Sequence, residues 1–158
     1  MPVDSAKARK LIDVLTRLHA SHVELRGVLV EQQQALRRFD VATLDVLHRR
    51  GDRLAERISE LESARVELTG RTAKLTDLAG QMDSAERTRV LAVAHELRQV
   101  AQETTSLGRI NRAAVQCMLN HFHGVYRLMA QAGRPASYGA GGVRNQPSDG
   151  AFLVDAVA

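Results

Sequence analysis

Apolar residues recur along this chain in alternating steps of four and three, the spacing of helices that bury one stripe lengthwise against other helices. The first stripe is Leu11, Leu15, Leu18, His22, Leu25, Leu29, Gln32 and Leu36, and the second is Leu44, Leu47, Gly51, Leu54, Ile58, Leu61, Arg65 and Leu68. The third starts at Val93 and runs through Leu97, Val100, Thr104, Leu107, Asn111, Ala114, Met118, His121, Val125 and Leu128. Local chemistry sets the ends. Phe39-Asp40 closes the first helix, and the Asp40 carboxylate can accept the first free amides of the second. Gly70 sits where a helix terminates, and Asp83-Ser84-Ala85-Glu86 resembles a capping box. The pattern predicts helices over about residues 5–38, 41–69 and 84–132. The weaker stretch Arg71 to Met82, with Leu75 and Leu78, reads as a short helix or turn. The fold class expected is all-α: an antiparallel helical hairpin packed along a longer C-terminal helix, one coiled-coil-like bundle over residues 1–132.

Those lengths do not match. The hairpin arms come to about 50 and 45 Å, and the last helix to about 72 Å. A last helix that starts near the end of the second and runs back beside it leaves about fifteen residues, ~20–25 Å, uncovered. That excess falls at Gln116 to Ala132. Here the flank of the stripe changes from Ala94, Ala101 and Gly108 to Val115, Phe122 and Met129, and the opposite flank adds Ile110 and Cys117. An apolar face wider than its own bundle can bury marks a surface for another chain. The expected partner-binding residues are therefore Ile110, Asn111, Val115, Met118, Phe122, Val125, Leu128 and Met129. Asn111 has two readings: a buried polar residue that selects one packing geometry, or an edge residue facing solvent. His22, also in a stripe, is expected to set register.

Residues 133–158 have another texture, with five glycines, two prolines and one late apolar cluster, Phe152-Leu153-Val154. So little apolar surface does not offset the entropy of ordering the chain, so a flexible tail, disordered when unbound, is expected.

Composition removes several function classes. Aromatics make up 3% of the chain and tryptophan is absent, which favours long helices over a thick globular core. The 22 basic residues outnumber the 18 acidic ones by only four. They are interspersed: Arg37-Arg38 and Arg49-Arg50-Arg53 stand among Asp40, Asp45 and Asp52. No nucleic acid partner is expected from such a pattern. The single Cys117 cannot form an internal disulfide, which fits a reducing cytoplasm. No apolar run approaches the ~20 residues of a membrane span, so no membrane insertion is expected, and Met1-Pro2-Val3-Asp4 does not begin a secretion signal. Cys117, His121 and His123 are the one metal-like group, but a structural zinc wants four ligands and His123 points to another face. Gly139-Ala140-Gly141-Gly142 is followed by no helix and is not a nucleotide loop. With no Ser/His/Asp arrangement or paired carboxylates, neither catalysis, cofactor nor metal is expected.

Several segments resemble the FlgN-type flagellar export chaperones, in order and spacing over about residues 8–142. Glu31-Gln32-Gln33-Gln34-Ala35-Leu36 is similar to the family's Glu/Gln-rich run before a short turn. Leu44, Leu47, Leu54, Ile58, Leu61 and Arg65 fit its second-helix pattern, and Leu107-Gly108-Arg109-Ile110-Asn111 resembles its Leu/Asn stretch. Tyr138-Gly139-Ala140-Gly141-Gly142 resembles its Tyr-Gly-x-x-Gly signature after the last helix. The resemblance implies a cytoplasmic type III export chaperone. It would hold hook–filament junction proteins of the FlgK and FlgL type, prevent their premature self-association and deliver them to the export gate protein FlhA. It also implies gate docking through Tyr138, Gly139 and Gly142. The competing expectation is a structural coiled-coil protein that forms a homo-oligomer through the same apolar stripe.

Overall fold

A computed structural model describes residues 5–70 and 75–132, with the side chain of Ala132 left out. Four helices form in chain order: α1 (Ser5–Arg38), α2 (Val41–Thr69), α3 (Leu75–Ala79) and α4 (Ser84–Ala132). No strand occurs among the described residues. The all-α class and the three long helices agree with the sequence pattern. The weak stretch resolves into the five-residue α3 and a turn through Gly80 and Gln81. The tail, with Tyr138, Gly139 and Gly142, lies outside the described residues. By contacts the chain divides into two units, residues 1–117 and 118–158, so the boundary falls within α4.

The α1–α2 corner is built in two residues. Phe39 takes a left-handed conformation (φ 55°). Its N–H donates to Leu36 O (3.2 Å), and the Asp40 N–H donates to Ala35 O (3.0 Å). This pair of bonds satisfies the last carbonyls of α1 in the Schellman arrangement, with phenylalanine where glycine is usual. Asp40 then caps α2: Oδ1 accepts from the Thr43 N–H (3.0 Å) and Oδ2 from the Thr43 hydroxyl (2.6 Å). At the other end of α2, Gly70 has φ 80° and donates to Val66 O at 2.7 Å. Glycine takes that conformation without the clash a Cβ would bring.

Asp83 starts α4, its Oδ1 accepting from the Glu86 N–H at 2.8 Å. A full capping box turns the Glu86 carboxylate back on residue 83. Here it accepts instead from the Ser5 hydroxyl (2.8 Å), which ties the beginnings of α1 and α4 together. The Arg87 guanidinium closes the α3–α4 corner by donating to Ala79 O (3.0 Å), Gly80 O (3.3 Å) and Met82 O (3.4 Å).

In the first unit, α1 buries more than one stripe because it meets helices on two sides. Ala8, Leu11, Ile12 and Leu15 pack with Met82 and Val90, flanked by Leu75, Val93 and Leu97. Val14 and Leu18 pack with Leu61 of α2, with Leu97 again at the edge. Towards the hairpin corner Val28 and Ala35 pack with Leu47 and Leu54. The α2 partners fall in number as those on α1 rise, so α1 and α2 are antiparallel. The bonds Ser5–Glu86, His22–Thr104 and Asn111–Leu29 keep nearly constant separations of 81, 82 and 82 residues, so α4 runs parallel to α1 in this unit.

Candidate functional site

The partner-binding candidates on α4 fall into two groups. In the first unit, Ile110 and Val115 are exposed. Asn111 is not: it is 6% exposed, and its Nδ2 donates to Leu29 O (2.9 Å) and Gln32 Oε1 (3.3 Å) of α1. Of its two readings the structure selects the buried one. Its Oδ1 is buried with no hydrogen-bond partner among the described residues. Turning the amide over would set oxygen against the Leu29 carbonyl, so the orientation is fixed by its partners. The orphaned oxygen costs about 1–3 kcal/mol. That cost is compatible with a residue kept to hold one register rather than to add stability.

About two turns earlier lies a second polar contact in the seam. The Thr104 hydroxyl donates to Ala101 O (2.9 Å). The His22 Nδ1, 3.3 Å from the same oxygen, is therefore the donor of that pair. Burial pushes the His22 pKa below its ordinary value; Glu62 opposes the shift and His19 adds to it. Arg26 and Glu103 close an exposed ion pair beside them at 2.7 Å. The seam between α1 and α4 is thus apolar up to Val100 and polar at Thr104, beside His22, and at Asn111.

In the second unit the described residues are exposed from Leu119 to Gln131, and Met118 is half-buried. Phe122 is 53% exposed, Met129 69% and Leu128 67%, with Val125 also open. Two large apolar residues join them that the stripe through His121, Val125 and Leu128 does not contain: Leu119 and Tyr126, the latter 75% exposed. The spacing that finds them is Val115, Leu119, Phe122, Tyr126, Met129, an unbroken four-three-four-three row. On an ideal helix this row, with Met118 and Val125, lies within about 120° of arc. Asn120, His123, Arg127 and Gln131 occupy the opposite arc. The segment is amphipathic, and its apolar side faces water. The His121 ring meets Phe122 edge-on, with centroids 6.2 Å apart and planes at 65°.

This surface is suited to contact. Cys117 is exposed, and no group of three or more His, Cys, Asp or Glu side chains comes together among the described residues. No helix among them is long and apolar enough to cross a membrane. What the second unit offers is a row of rigid and adaptable apolar groups, one aromatic ring with a hydroxyl, and a methionine at each end. Such a row can lie against an amphipathic helix in the manner of helix-in-groove recognition.

A family model described as FlgN protein matches residues 1–146. Comparisons with curated proteins and with solved structures returned no match. The family match spans all four helices. The chain belongs to the FlgN family, whose members are flagellar type III export chaperones and not enzymes.

Proposed function

We propose that this chaperone binds hook–filament junction proteins of the FlgK and FlgL type in the cytoplasm and keeps them from associating before export. It then hands them to the export gate protein FlhA. The observation that carries the reading is the row of large, exposed apolar side chains on α4. Junction proteins assemble through long amphipathic ends, and an open apolar helix face is the complement such an end requires. Phe122, Val125, Met129, Met118 and Leu128 supply the contact, with Leu119 and Tyr126 widening it. Ile110 and Val115 are open apolar positions earlier on the same helix, and Asn111 acts from within the bundle by fixing α4 against α1. Delivery is assigned to Tyr138, Gly139 and Gly142.

Two measurements test this. Chains recovered with the protein from its own cytoplasm, identified by mass spectrometry, should include a junction protein. Light scattering should give the mass of a complex with that foreign chain. A stable homo-oligomer that takes up no junction protein would establish the structural coiled-coil reading instead. For delivery, Tyr138→Ala should bind junction protein as before and lose affinity for the cytoplasmic domain of the gate. Loss of the first with retention of the second would reverse the two roles.

A further inference from the structure

We propose that in the free protein the apolar row of the second unit is covered by the Phe152-Leu153-Val154 segment of the same chain, which a partner helix has to displace. Leu119, Phe122, Val125, Tyr126 and Met129 all stand open to water on one side of α4. A contiguous apolar row of that kind calls for an occupant. The nearest source is the chain itself. Of the twenty-six residues that follow α4, the one group of consecutive large apolar residues is Phe152-Leu153-Val154.

Reach fits. Met118, the start of the row, is about 21 Å back along the helix from Ala132. The twenty residues from Ala132 to Phe152 can span at most about 66 Å, so the segment reaches every part of the row with slack. A connection of this length holds the two at a millimolar effective concentration, enough for a three-residue contact that would be negligible between separate molecules. From Met118 to Ala132 the one charged residue is Arg127, with His121 and His123 beside it. The apolar trio is bracketed by Asp149 and Asp155, the only acidic residues after Glu103, whereas the basic Arg134 and Arg144 stand before it. Arg127 lies on the arc opposite the row, so it is apolar contact and not a charge pair that holds the trio. While covered, the row is closed to a second copy, and its apparent affinity for any helix falls by the fraction of time it is open. That consequence for substrate rests on the chaperone reading; the contact itself does not.

The native Cys117, exposed and the only cysteine, provides the test. A nitroxide on Cys117 should broaden the amide signals of residues 152–156 in the isotope-labelled full chain. The broadening should vanish in the variant carrying Phe152→Ser, Leu153→Ser and Val154→Ser. Equal signals in both chains would overturn the contact. So would broadening seen only when spin-labelled and isotope-labelled chains are mixed, which would assign the cover to a second copy. In a titration with junction protein the triple variant should bind roughly two- to tenfold more tightly. Equal binding by the two chains would overturn displacement, whereas binding by neither would count against the chaperone reading and leave the spin-label result to decide the contact.

Discussion

Phe39 is the one non-glycine residue among those described whose backbone lies in the left-handed region. A bulky L-residue at φ 55° carries a cost that glycine does not, and Phe39 occupies it at an exposed corner. Phe39→Gly should raise the unfolding free energy by about 1 kcal/mol, read from the denaturant midpoint. Gly51 is the converse case. A Cβ there would meet Val28 Cγ1 at 3.9 Å and Gln32 Nε2 at 4.0 Å, ordinary contact distances. Gly51→Ala should therefore stabilise α2 by about 1 kcal/mol, since mid-helix glycine costs about that much relative to alanine. His22 carries a pH dependence. Its pKa is lowered from 6.5 by burial, so below about that value the unfolded chain holds a proton that the folded chain resists. Stability should fall as pH drops through 6.5 towards the lowered value. Arg65 and Arg98 line the same groove as His22 and Glu62. The part of the pH dependence due to this group is the difference between the native chain and His22→Gln in denaturation series at pH 7.5 and 5.5; identical slopes would contradict it.

Among the elements, α1 and α4 meet through a seam whose polar residues decide geometry. Asn111→Leu removes the orphaned oxygen and should raise the unfolding free energy by about 1 kcal/mol, read from the denaturant midpoint. It should also let α4 shift along α1, visible as faster exchange of the amides near Thr104 and Asn111. The helix ends were legible from capping chemistry: Asp40, Gly70 and Asp83 each do locally what their type allows. The seams were legible because burial follows the four-three pattern, as at Leu11, Leu15 and Leu18. What the pattern did not reveal is the second buried face of α1, with Ala8, Ile12, Val14 and Val28. A single stripe describes a helix with one neighbour, and α1 has two. Leu119 and Tyr126 escaped for a related reason. The seam followed through Met118 and Val125 runs one position before each of them, and so passes them by. The fate of Asn111 depended on Leu29 and Gln32, 82 and 79 residues away, which no local spacing discloses.

At the scale of the whole molecule, the first unit is a helical scaffold with a buried core, and the second carries an apolar helix face turned to water. From Gln116 to Gln131, Met118 apart, the side chains are exposed. The central claim is that this face holds the exported partner. Its most direct test is a calorimetric titration of junction protein into the full chain and its Phe122→Ala variant. His123→Ala on the opposite arc serves as the control, and circular dichroism is run on each. The account predicts that Phe122→Ala weakens the complex by roughly 1–3 kcal/mol, with helicity and the control unchanged. Unaltered affinity, or a variant that no longer folds, would contradict it, the second because it would place Phe122 in the internal core.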